Sequence, residues 1–210
     1  MSFLENLDWR YATKKYDQAA KLAPEKLSQI LEAIRLAPTS NGFQPFDVLV
    51  ISNPALREQL QTAAFNQPQL TESSVVLVFA AWDNIHADNL GRVFDNFAAV
   101  RGDSDSLAAR RKSSIAGFDS KTAEQNIAHA AQQAFISLGF GLAAAAELNV
   151  DASPMGGFNP AQFDEILGLK EKGLRSVVIL CLGTRAQEGD WLTGLKKVRR
   201  SKAEMFHEVR

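Results

Sequence analysis

The sequence predicts an α+β domain in which helices outnumber strands. Three observations carry this: helical periodicity alternates with short β-branched runs, no internal repeat interrupts the pattern, and no Gly/Pro/Ser-rich linker divides it. At 210 residues, 46% of them hydrophobic, the chain can bury one sizeable core and is short for two large ones. Residues 1–210 are therefore read as one domain.

Ser2 and Glu5 have the spacing of a capping box for a short first helix. Pro24 opens a second, whose Leu27, Ile30, Leu31 and Ile34 recur at three and four residues, and Pro38 ends it. Residues 48–51 (VLVI) form a first strand. Asn53 and Pro54 then supply N-cap and first-turn residue for a helix reaching about residue 64. Residues 75–80 (VVLVFA) are a second strand. Beyond Trp82 the pattern becomes helical, with Asp83 as candidate cap and Val93, Phe94, Phe97 and Val100 on one face. Residues 101–114 are polar and weakly periodic, which predicts a mobile, partly helical excursion. Residues 122–148 carry the longest helical pattern, with a small-residue stripe suited to close packing. A Gly-rich turn at Met155, Gly156 and Gly157, a helix over about 160–167 and a strand at 176–182 follow. From residue 184 onward the chain has no core of its own but keeps Trp191, Leu192, Met205, Phe206 and Val209, so it is expected to embrace another surface, such as a second subunit.

Composition narrows the partners. A formal net charge of −1 argues against a general nucleic-acid or acidic-membrane binder and leaves a small-molecule anion as the better partner for the local basic runs. The single Cys181 precludes an intrachain disulfide framework, and its apolar surroundings point to a buried thiol. No basic-then-apolar signal precedes residue 5, and the weakly polar stretch 134–146 is too short to span a bilayer, so a cytoplasmic location is expected. His86, His129 and His207 lack metal-ligand spacing, and Asp103 and Asp105 begin a calcium-loop pattern without its glycine and closing glutamate. Gly139 and Gly141 match a dinucleotide fingerprint only as a string, inside a helical pattern, where they permit close helix approach instead. No Ser, His and acid set or metal set announces itself, which leaves chemistry delegated to a cofactor.

Three separated segments read together as an anion cradle: residues 10–16 (RYATKKY), 37–46 (APTSNGFQPF) and 196–200 (KKVRR). Guanidinium and ammonium donors converging from several sides suit a phosphate. Taken singly, each basic run reads as an ordinary solvated charge run. In this order, together with residues 154–158 (PMGGF), they resemble the FMN-dependent nitroreductase family over nearly the whole chain.

The resemblance implies a nitroreductase-like fold with a central mixed sheet flanked by helices, a homodimer, and two FMN sites at its interface. It implies that Arg10, Lys14, Lys197 and Arg199 hold the FMN phosphate and nearby oxygens, with Ala12 contributing its backbone. Pro38, Ser40 and Asn41 would cover the flavin from the partner subunit. Asn66 and Gln69 would contact the ribityl chain and pyrimidine edge, and Gln133 would supply a further polar contact. Pro154, Gly156 and Gly157 would lie at the ring, with backbone N–H groups facing N5 and O4. It further implies a ping-pong cycle from NADH or NADPH to a nitroaromatic, quinone or similar small-molecule acceptor, with no catalytic side chain and no metal.

The chain departs from the family pattern at Ala12, where Ser is common, at Gly42 (Asn), Phe46 (Trp) and Gly156 (Glu). Residue by residue, other readings stay open: Gly156 and Gly157 as a plain turn, Asn66 and Gln69 as solvated loop polars, and Phe65, Phe94, Phe97 and Phe118 as core. A flavin or pteridine reductase or a dehydrogenase of a specialised substrate, a flavin- or nucleotide-sensing protein without turnover, and a helical interaction protein whose basic tail binds acidic partners are the competing functions.

Overall fold

The computed structural model describes residues 2–209, so the first and last residues lie outside it. Helices α1 (Phe3–Trp9) and α2 (Pro24–Leu36) lead to strand β1 (Phe46–Ile51), and α3 (Pro54–Ala63) and the short α4 (Gln69–Glu72) lead to β2 (Val75–Trp82). Helices α5 (Ala87–Arg101), α6 (Asp105–Asp119) and α7 (Ala123–Glu147) then precede β3 (Asp151–Met155), α8 (Pro160–Leu167), β4 (Leu174–Gly183) and α9 (Lys202–Met205).

The sheet has strand order β1-β2-β4-β3 and every pair within it is antiparallel. The expected mixed sheet is thus an antiparallel one, and parallel pairing among the described residues is confined to the isolated bridge between Ala12 and Ala152. Strand β2 is a continuous apolar run because both of its faces are covered. Val75, Leu77 and Phe79 join Val178, Leu180 and Leu182 against Ile30, Ile34, Ala134 and Leu138. Val76 and Val78 join Ile179 and Cys181 against Leu60, Leu70 and Phe163. Gly141 sets the close approach of α7 to α2, since a Cβ there would lie 2.9 Å from Ile34 Cγ1. A third cluster, around Phe43, Phe94 and Phe118, ties α5, α6 and α7 together.

The expected capping residues hold at Ser2 and Asn53, Pro24 stands at the start of α2, and Thr122 caps α7. Asp83 does not cap α5; His86 does, with the Asn89 side chain accepting from its backbone N–H at 2.9 Å. Residues 105–119 form a regular helix rather than a mobile excursion. Ser104 caps it, accepting from Leu107 N at 3.2 Å, and only Leu107, Ile115 and Phe118 reach the apolar cluster, which is why the stretch reads as polar. Strand β3 has no counterpart in the sequence reading. Its Pro154 is tolerated because β3 lies at the sheet edge, where a missing N–H costs no ladder bond. No described helix is long and apolar enough to cross a membrane.

Candidate functional site

Segment 10–16 leaves α1 and runs along the β3/β4 end of the sheet, held by the Ala12–Ala152 bridge and an antiparallel bridge between Tyr16 and Arg185. The Asp190 carboxylate fastens it to the C-terminal segment, accepting from Lys14 N at 2.7 Å, Leu192 N at 2.9 Å and the Tyr11 hydroxyl at 3.1 Å. Lys15 pairs with Glu72 at 2.5 Å. Arg185 pairs with Asp151 at 2.6 Å and places its guanidinium 4.4 Å from the Trp9 ring centroid.

The C-terminal run returns to the same place. Lys197 Nζ donates to the carbonyl of Leu7 at 2.6 Å and to that of Arg10, capping the end of α1. An ammonium has three N–H donors, so one remains. Arg10, Lys197 and Arg199 repel one another. Burial first, then Arg199, pulls the Arg10 guanidinium below its ordinary value. Burial, then Arg10 and Arg199, lowers the Lys197 ammonium, against only a weak opposing pull from Asp8. No ion pair among the described residues engages these three cations, and Arg10 Nε is buried without a partner. Three like charges without an ion-paired carboxylate among the described residues leave a place where an anion would be stabilised.

Strand β3 carries the line onward from Ala152 through Pro154, which is partly buried opposite Leu180, to the exposed Gly156 and Gly157. A Cβ built on Gly156 meets nothing within 4 Å. Gln67 Nε2 donates to the Gly157 carbonyl at 2.6 Å, joining this turn to the α3–α4 loop that bears Asn66 and leads into Gln69, the first residue of α4. In that loop Phe65 and Asn66 are both left-handed, at φ 56 each, and Phe65 is 69% exposed. A bulky residue held so is strained, a condition that concentrates at ligand sites. Gln69 is buried, and its Oε1 has no partner.

Arg10, Ala12, Lys14, Lys197 and Arg199 thus come together and connect through β3 to Pro154, Gly156, Gly157, Asn66 and Gln69. A second group stands apart: Gln133 Oε1 accepts from Ser40 N at 2.8 Å, and Arg110 Nη2 donates to the Asn41 carbonyl at 3.1 Å, beside the exposed Pro38. No hydrogen bond or ion pair among the described residues links this group to Arg10. A cavity of about 920 Å³ between β1 and α5 is lined by Gly42, Phe46 and Phe97 among others, and by none of the residues expected to contact the flavin.

Sequence reasoning missed Asp190, Gln67, Arg185 and Asp151. Each acts across more than thirty positions of chain or through a single polar contact, and neither leaves a local spacing signal. Of the four aromatic residues left in question, Phe94 and Phe118 are buried core, whereas Phe65 is not. Cys181 is fully buried, and that burial pushes its thiol up to about 12.

The nitroreductase family model matches residues 7–184. The chain is 29% identical over 208 residues to the major NAD(P)H-flavin oxidoreductase of Aliivibrio fischeri, covering 94% of each protein. It is 29% identical over 201 residues to the oxygen-insensitive NAD(P)H nitroreductase of Salmonella typhimurium, covering 90% of this chain and 91% of that protein. Among solved structures, a nitroreductase-like protein from Streptococcus mutans superposes with TM-score 0.81 at 25% identity over 99% of this chain and 98% of the other. A nitroreductase-assigned protein from Exiguobacterium sibiricum, solved in complex with FMN, shares the fold at TM-score 0.84 and 24% identity, over 100% of this chain and 98% of the other. With a family match over most of its length and an architecture shared with these structures, the chain belongs to the nitroreductase family.

Proposed function

We propose that this protein is an FMN-dependent NAD(P)H oxidoreductase that works as a homodimer on a small-molecule acceptor. The observation that carries the reading is the unpaired cation group of Arg10, Lys197 and Arg199, brought together from opposite ends of the chain. These residues would bind the FMN phosphate, supported by the Ala12 backbone and Lys14. Asn66 and Gln69 would orient the ribityl chain and pyrimidine edge, the latter through an acceptor that no protein donor occupies. Pro154, Gly156 and Gly157 would border the ring, where the open space at Gly156 admits a flat ligand. When bound, FMN would supply two-electron redox chemistry between NADH or NADPH and a nitroaromatic, quinone or similar acceptor in a ping-pong order. The protein's part is binding, orientation and electrostatics, since no acid, base or nucleophile is assembled at the site.

Pro38, Ser40, Asn41 and Gln133 form a separate group in one chain, which fits a site that is completed by a second copy. The C-terminal segment supports the same assembly. Val198 is 85% exposed and Phe206 67% exposed on a single chain, and a partner surface would cover them. Resemblance to a NAD(P)H-flavin oxidoreductase favours one further reading, in which a flavin is itself the acceptor.

Titrating FMN into the purified protein and following quenching of flavin fluorescence tests the assignment. Saturable one-per-chain binding, weakened in Arg10→Ala, is expected. Absence of binding rejects the flavin reading.

A further inference from the structure

A cavity of about 300 Å³ lies where α5 passes into α6, with Phe97, Arg101, Asp103, Ser104, Ser106 and Arg110 among its lining residues. The Arg101 and Arg110 guanidiniums lie 5.7 and 5.5 Å from the same Phe97 ring centroid. Arg110 also lies 5.8 Å from the Phe43 ring and 6.0 Å from that of Phe94. Among the described residues, neither guanidinium has a carboxylate within ion-pair distance. The adjoining Arg111 does, with Asp95 at 2.7 Å, while Asp103 accepts from Ser104 N at 2.9 Å. Two planar cations and one carboxylate therefore line a hollow that also has an aromatic ring and two hydroxyl groups on its wall.

We propose that this hollow receives an anionic group, a carboxylate or phosphate, carried by a substrate of the enzyme. The planar guanidinium fork matches the oxygens of either group, and the Phe97 ring beside both forks partly desolvates them. The volume suits the acidic end of a substrate rather than a whole dinucleotide. Arg110 connects the hollow to the redox site: its Nη2 donates to the Asn41 carbonyl at 3.1 Å, and Asn41 belongs to the segment assigned to the flavin of a second copy. The proposal rests on that assignment for its place beside the flavin, although not for anion binding itself. The anion has two possible sources, an acidic acceptor or the 2'-phosphate of NADPH, and the two are separable.

Calorimetric binding of 4-nitrobenzoate and its neutral counterpart 4-nitrobenzamide is measured on the full chain with FMN added, for the native protein, Arg101→Gln and Arg110→Lys. In parallel, kcat/KM is compared for NADPH and NADH. The native protein should favour at least one anion over its counterpart. Arg101→Gln should reduce that preference about 2- to 5-fold, as expected of an exposed charge, and 0.5 M salt should erode it. Arg110→Lys, which keeps the charge and loses the fork, should reduce it as well. A loss confined to nitrobenzoate assigns the hollow to the acceptor, and one confined to NADPH assigns it to the reductant. Anion binding by a native chain that takes up no FMN overturns the flavin reading and leaves the hollow standing. Preferences unchanged in both variants, with FMN bound normally, overturn the anion site.

Discussion

The Lys197 ammonium donates to the carbonyl of Arg10, although 187 positions separate them in sequence. One contact both caps the first helix and sets two like charges side by side. In a phosphate site this repulsion is what ligand binding relieves. Arg10→Ala is therefore expected to weaken FMN binding roughly 10- to 150-fold, corresponding to about 1.5–3 kcal/mol for a charge-assisted hydrogen bond. Arg199, exposed at its edge, should matter less, in the range of about 0.2–1 kcal/mol for a solvated charge. Fluorescence titration of both variants checks the order.

The same cluster predicts a pH dependence. Burial and the neighbouring Arg10 and Arg199 lower Lys197, so the unfolded chain holds that proton to higher pH than the folded one. Stability of the ligand-free protein should thus rise as pH climbs through the lowered folded value towards about 10.4, the ordinary lysine value. FMN affinity should fall over the same window as the phosphate loses a cation. Urea melts and flavin titrations between pH 8 and 10.5, repeated on Lys197→Met, would show both trends flattened in the variant.

Gly156 separates folding from chemistry. Its φ is not left-handed and a Cβ there meets no neighbour within 4 Å, so Gly156→Val should fold with native stability. If the ring lies over this turn, the added side chain displaces it. Stopped-flow reduction by NAD(P)H should slow on the order of 100-fold, the effect of roughly 1 Å of misplacement. A native rate in a flavin-loaded variant would remove the turn from the site.

Asp190 binds both cation-bearing segments to each other. Burial acts to raise its carboxyl, yet hydrogen bonds from Lys14 N, Leu192 N, the Tyr11 hydroxyl and Lys15 N outweigh this and hold it below the ordinary range. A depressed carboxyl contributes stability that is present above the unfolded value of about 3.9 and lost as pH falls through the folded one. Asp190→Ala should destabilise the protein by about 1–3 kcal/mol and weaken FMN binding, while leaving the sheet intact by circular dichroism.

Truncation after Arg200 removes Met205, Phe206 and Val209 but keeps Lys197 and Arg199. If the tail builds the dimer and thereby completes the flavin site, light scattering should report a monomer that binds FMN more weakly. A truncated chain that stays dimeric with native affinity would locate the interface elsewhere.

Much of this architecture was legible because local chemistry and fold agree at its landmarks: Pro24 at a helix start, Asn53 as a cap, residues 75–80 as a strand. What escaped notice has physical reasons. Strand β3 hides behind Pro154 at a sheet edge, and α6 hides because solvent surrounds most of its circumference. The all-antiparallel order depends on which strands pair across the chain, which spacing does not encode. At the site, segments 10–16 and 196–200 are visible as basic runs, and their convergence is now explained by Asp190 and Lys197. Asp190 itself is one acid among many in sequence, since three of its four donors come from residues brought near only by folding.

The central claim is that this chain passes electrons from a nicotinamide donor through FMN held at the Arg10, Lys197 and Arg199 site. The most direct measurement is an anaerobic absorbance titration of the FMN-loaded protein with NADH or NADPH, followed by addition of a nitroaromatic or quinone. The flavin bands should bleach with one equivalent of donor and return on addition of acceptor, and Arg10→Ala should fail to retain the flavin through gel filtration. A protein that binds no FMN, or whose bound FMN stays oxidised under excess NADH and NADPH alike, would contradict the account.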